Sequence, residues 1–150
     1  MILTHWSRKP LGELHSVEPA YRDGVATPHA KPRGFWLSDE SGDDGWSQWC
    51  ESGQYNLGQH RTEFDVDLTH IRHLSGEADL IAFTSEFGEE GRYGPAINWP
   101  AVGATFKGVV VTPYVWSQRL TLDWYYTWDC ASGVFWDVSC LRRLSASRAA

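Results

Sequence analysis

The sequence predicts an α+β fold: one domain with a curved or split, mostly antiparallel sheet and two or three short helices. Three observations carry this. Residues 59–68 alternate, with Phe64, Val66 and Leu68 on one side and Glu63, Asp65 and Asp67 on the other, the period of a half-buried strand. Gly108-Val109-Val110-Val111-Thr112 is a β-branched run suited to a buried strand. The helical stretches are short and stopped by glycine, at Gly53 and Gly88, and 150 residues make a single domain, 1–150.

Along the chain, Ile2-Leu3-Thr4-His5-Trp6-Ser7 reads as a first strand with His5 near its end. Residues 10–17 can open a short helix, with Pro10 in its first turn. Residues 18–33 hold three prolines and Gly24, a surface loop. Gly34 then leads Phe35-Trp36-Leu37 into a short strand, and Ser38 or Asp39 can cap the segment after it. A helix over 46–52 stops at Gly53. Residues 71–74 extend the strand before them or start another. Ser75 looks like the cap of an amphipathic helix that ends at Gly88. Residues 89–96 read as a loop and 98–106 as a helix with Pro100 in its first turn. Strands near 122–126 and 134–138 close the sheet, and 141–150 is a tail. The strands at 64–68 and 109–111 are expected to neighbour each other.

Composition narrows the function. Aromatic residues make up 14% of the chain, nine of them Trp, while the formal net charge is −6. That charge disfavours a protein held on nucleic acid by bulk phosphate attraction. Basic residues nevertheless cluster at Arg8, Lys9, Lys31 and Arg33, where they could hold a phosphate. Cys50, Cys130 and Cys140 are odd in number and lack CxxC spacing, so they read as reduced thiols of a cytoplasmic protein, neither a disulfide frame nor a metal site. No secretory leader and no membrane-length apolar run is expected.

The densest chemistry lies in residues 123–136, where six aromatic rings surround Asp123, Asp129 and Cys130. Most of those rings suit a core. Asp129, between Trp128 and Cys130, needs a partner or a task. With His5 at the end of the first strand, and Trp36 and Ser38 after the turn at 31–34, it could form a site that cleaves a dinucleotide. A histidine would hold a ribose hydroxyl, a ring would stack on a base, and a carboxylate would stabilise an oxocarbenium-like transition state. Each also has a plainer use: His5 as a structural histidine, Trp36 as core, Ser38 as a helix cap.

Leu3-Thr4-His5-Trp6-Ser7 resembles the first-strand histidine motif of ADP-ribosyltransferases of the diphtheria toxin and poly-ADP-ribose polymerase branch. Gly34-Phe35-Trp36-Leu37-Ser38 resembles that branch's second motif. The chain also resembles a set of small phage and bacterial proteins sharing a KPxGxW and a WYYxWDCASG segment, here residues 31–36 and 124–133. The resemblance implies a NAD-dependent ADP-ribosyltransferase with a protein or nucleic-acid acceptor, no metal, and a place in the cytoplasm, that of the host if phage-encoded. His5 would bind the nicotinamide ribose, Trp36 would stack on nicotinamide and Ser38 would line the pocket. Asp129 would be the catalytic acid, with Lys31 or Arg33 on the pyrophosphate. Trp36 stands where the branch carries Tyr, and Asp129 where it carries Glu. A NAD hydrolase or other nucleotide-processing enzyme, and a non-enzymatic phage-encoded binder of a nucleotide signal or host protein, are the alternatives.

Overall fold

In the computed structural model, which describes residues 1–148, the chain forms nine strands and three α-helices. In order they are β1 (Ile2–Ser7), β2 (Phe35–Ser38), α1 (Trp46–Gly53), β3 (His60–Val66), β4 (Ile71–Leu74), α2 (Glu77–Phe87), β5 (Gly88–Gly91), β6 (Gly94–Ile97), α3 (Trp99–Thr105), β7 (Gly108–Val111), β8 (Ser132–Phe135) and β9 (Leu141–Arg148). Seven strands make one sheet in the order β4-β7-β8-β2-β1-β3-β9, antiparallel except where β4 meets β7. β5 and β6 form a separate hairpin. The single α+β domain and its mostly antiparallel sheet are as the sequence predicts.

Both faces of the sheet are covered at β7, which explains its unbroken valines. Val109 and Val111 join the core under α2 and α3, with Trp99, Trp124 and Trp128, whereas Val110 packs on the opposite face with Leu3, Leu37 and Phe64. Thr62, Phe64 and Val66 of β3 are buried in alternation. Helix ends are satisfied locally. Ser38 Oγ accepts the Trp46 N–H at 2.7 Å at the start of α1, and the Asn98 side chain accepts the Ala101 N–H at 2.9 Å in α3. Ser75 is not the cap of α2, a position held by Gly76 with no side-chain bond; it instead donates its N–H and its hydroxyl to Asp79 in the first turn, both at 2.8 Å.

Several expectations need correction. Residues 10–17 form no helix: the carbonyls of Leu11 and Gly12 accept from Arg143, Val17 N–H donates to Trp136 O, and Leu11 and Leu14 cover the sheet. Residues 89–96 build the β5–β6 hairpin, whose turn puts Gly94 at φ 127°. Residues 122–126 are no strand. They coil through a 3-10 turn at Tyr125–Thr127, which directs Trp124, Tyr125 and Trp128 into the core together. β8 ends at Phe135, and Val138 begins another 3-10 turn. β4 does not extend β3 but pairs with β7, and three strands, β8, β2 and β1, separate β3 from β7. The expected tail is β9, an edge strand on β3, with Leu144 bulged out of the ladder between Arg143 and Ser145. Residues 149 and 150 of that expectation lie outside the described residues. No helix among the described residues is long and apolar enough to cross a membrane.

One feature of the sheet positions the site. β1 pairs with β3 over six residues but with β2 only at Thr4–Ser38, so the sheet splits beyond that pair. On its other side β2 lies tight against β8: a Cβ on Gly34 would sit 2.6 Å from Val134 Cγ2. Glycine is therefore required where the loop turns into β2.

Candidate functional site

A cleft of about 290 Å³ opens at the split. Five residues named from the sequence line it: His5, Lys31, Trp36, Ser38 and Asp129. They come from β1, the loop before β2, β2 itself and the loop before β8. Arg33 does not join them; it is exposed, and Arg22 takes its place. The loop folds back on itself, with Arg22 N–H donating to Lys31 O at 2.8 Å and a bridge between Tyr21 and Pro32, so Arg22 is drawn beside Lys31.

His5 bridges the split. Its Nδ1 lies 3.0 Å from Trp36 O, and because a carbonyl only accepts, Nδ1 carries the proton and Nε2 remains an acceptor. Burial lowers the His5 pKa, opposed by this bond, so the ring is neutral at neutral pH. The ring also packs on Phe35, centroids 4.5 Å apart. The histidine thus has a structural contact and one free ring nitrogen. Ser38 is occupied: its hydroxyl donates to Glu40 at 2.6 Å while capping α1, which leaves no proton for a ligand. Glu40, which sequence reasoning missed, also accepts from Trp6 Nε1 at 3.1 Å and from Ser47, and so ties β1, β2 and α1 into one wall.

Asp129 is not isolated. Its Oδ1 accepts from Arg119 at 3.2 Å, and the carboxylate keeps 31% of its side-chain surface exposed. Arg119 in turn donates to Tyr114 Oη at 2.7 Å and Trp128 O at 3.2 Å, and lies over the rings of Trp49 and Tyr126. This arginine was also missed, since nothing in the run Trp116–Leu120 marks it as a partner of Asp129.

Lys31 Nζ stands 5.1 Å from the centroid of the Trp36 ring and makes no hydrogen bond or ion pair among the described residues. Burial lowers its pKa, with the Asp129 charge opposing. Trp36 therefore has a cation on one face, and its ring meets Trp128 edge-on at 4.9 Å. That leaves less free ring for a stacked nicotinamide than the sequence suggests. The Nε1 groups of Trp36 and Trp128 are both buried without a hydrogen-bond partner. A buried donor left unpaired costs about 1–3 kcal/mol, and both tryptophans are among the residues that line the cleft.

Cys130 borders the cleft, but burial pushes its thiol up to about 12, opposed by the Ser132 hydroxyl, so it is no nucleophile at neutral pH. All three cysteines are free and buried, and burial pushes Cys140 up to about 11. Thiol titration is therefore expected to be slow on the folded protein and to count three thiols after denaturation without reductant. A count of one would mean that two of them had paired. Among the described residues, no group of three His, Cys, Asp or Glu side chains could hold a metal ion.

Comparison with family models, with curated proteins and with solved structures finds no match for this chain.

Proposed function

We propose that the cleft binds NAD and transfers ADP-ribose to a protein or nucleic-acid acceptor. The observation that carries this is convergence: His5, Lys31, Trp36 and Asp129, up to 124 positions apart in the chain, line one cleft at a split sheet. In the step proposed, the bond between ribose C1′ and the nicotinamide nitrogen breaks, and its electron pair leaves with nicotinamide. Positive charge develops on the ribose. Asp129 faces it with Oδ2, the oxygen not bonded to Arg119. The acceptor's nucleophile then bonds to C1′ and gives its proton to water. His5 Nε2 accepts from a ribose hydroxyl, and Lys31 faces the diphosphate. Trp36 contributes mainly by carrying Lys31. Free thiols suit a reducing compartment, the cytoplasm of a cell or of a phage's host.

The Arg119–Asp129 pair favours a second reading. A carboxylate already paired with a guanidinium has less charge to offer a cation, so the same cleft could hold a nucleotide without turning it over. Water as acceptor would make it a NAD hydrolase. Two measurements separate these. NAD at a hundredfold excess over Kd is expected to raise the melting temperature by about 5–10 °C; no shift at millimolar NAD removes the dinucleotide reading altogether. Release of nicotinamide then distinguishes enzyme from binder.

A further inference from the structure

We propose that the inner wall of the cleft is an oxyanion site that takes a phosphate or diphosphate group through Trp36 Nε1, Trp128 Nε1 and Lys31 Nζ. An indole N–H and an ammonium only donate, and so does the Arg22 guanidinium nearby. These four groups are all donors, and the group that complements them is one made of acceptors. Four of the other indoles show how this chain treats an N–H that has no ligand to meet. Trp6 donates to Glu40, Trp99 to Ala30 O, Trp124 to Thr84 and Trp136 to Phe106 O. Trp36 and Trp128 are the two indoles with buried, unpaired N–H groups among the described residues, and they touch each other in the same cleft. Trp128 is 1% exposed, so its position is set by the core and not by solvent.

Charge points the same way. Lys31 and Arg22 face one carboxylate in the lining, and that carboxylate is already paired with Arg119. The cleft is therefore a cationic spot on a chain of net charge −6. A neutral carbonyl would satisfy an indole but leave the Lys31 charge half-buried and unpaired. The pyridinium ring of NAD would be repelled by it. A phosphate satisfies both once side chains shift to open the two N–H groups, which are closed to water in this conformation. Lys31 Nζ lies over the Trp36 ring, at the mouth of the path such a group would take. The inference rests on the NAD reading only in taking the dinucleotide as natural carrier; the site would bind diphosphate whatever carries it.

The test uses the full chain labelled with nitrogen-15, followed through its indole N–H resonances. Inorganic pyrophosphate, inorganic phosphate, NAD and acetate are titrated separately. Pyrophosphate is expected to move two indole resonances along one saturable curve. Trp36→Phe removes one of them and Trp128→Phe the other, while the resonances of Trp99 and Trp136 stay in place. Lys31→Met is expected to weaken pyrophosphate binding about tenfold or more. Should Trp128→Phe fail to fold, Trp36→Phe and Lys31→Met still decide. If NAD moves these resonances and pyrophosphate and phosphate do not, the anion site is refuted and the NAD reading stands. If pyrophosphate binds and NAD does not, the anion site stands and the NAD reading fails. Acetate acting as strongly as phosphate, or pyrophosphate moving only other indoles, would also overturn the proposal.

Discussion

Asp129→Asn is expected to lower the rate of nicotinamide release by about 100-fold or more, the scale on which single electrostatic groups act on a developing charge. The substitution keeps shape and one acceptor oxygen but removes the charge. Its cost to the fold is expected to be small. The carboxylate is partly exposed and pairs with Arg119 at 3.2 Å, and such surface-accessible pairs contribute about 0–1 kcal/mol. Arg119 keeps its other partners, Tyr114 Oη and Trp128 O. Melting temperature and turnover on the same preparation separate the two roles. A variant that melts early but retains its turnover per folded molecule would make Asp129 a structural residue that anchors Arg119, and the catalytic assignment would be withdrawn.

Asp39→Ala is expected to do the opposite: a large loss of stability with no direct effect on the cleft. Asp39 is buried. Its Oδ1 accepts from the Ser41 N–H at 3.0 Å and the Ser41 hydroxyl at 2.6 Å, and its Oδ2 accepts from the Thr112 hydroxyl at 2.6 Å. Its own N–H donates to Ala131 O at 2.9 Å. The carboxylate thus fastens the end of β2 to the residue after β7, across β8. Truncation leaves the buried Thr112 hydroxyl unpaired and unties the exposed Ser41, at a cost on the order of 3 kcal/mol, or about 6–12 °C in melting temperature for a chain of this size. Acid should act through the same group. Burial by itself would raise the Asp39 pKa, but the hydrogen bonds from Ser41 and Thr112 outweigh it and hold the carboxyl below the usual range. A depressed folded pKa contributes stability that is present above the unfolded value, near 3.9, and is lost as pH falls through the folded one. Melting temperature followed from neutral pH down to about pH 3 should therefore fall less steeply in Asp39→Asn than in the unsubstituted protein. Parallel curves would mean that Asp39 is not a source of the acid sensitivity.

Local chemistry made much of this fold legible. The alternation of β3, the valines of β7 and the Asn98-Trp99-Pro100 start of α3 each need only their own neighbours to be read. Apart from the local β5–β6 hairpin, the misreadings share a cause in partners far along the chain. Trp124-Tyr125-Tyr126 suits a strand by propensity, yet the pull of the core under α2 and α3 coils it. Leu141–Arg148 shows no apolar alternation because it is an edge strand exposed on both sides, so its ladder with β3 left no trace in composition. The site divides in the same way. His5, Lys31, Trp36, Ser38 and Asp129 stand out by residue type and local setting. Arg119, Glu40 and Arg22 gain their roles only from contacts across the fold, and no single-chain pattern shows that two indole N–H groups will be left without acceptors.

The strand order also governs how the chain reaches this structure. β2 finds β8 some 97 positions away, and β3 finds β9 some 81 positions away. The first sixty-six residues hold β2, β1 and β3, but the outer edges of β2 and β3 stay open until β8 and β9, within Ser132–Arg148, pair with them. Ladders that close such long loops form slowly, on the millisecond-to-second scale typical of non-local β topologies. During that interval β3 presents Phe64 and Val66 beside an unpaired edge, a surface that a second unfinished chain can take. Folding and association thus compete, and the yield of soluble protein after dilution from denaturant should fall as chain concentration rises, which light scattering during refolding reads directly.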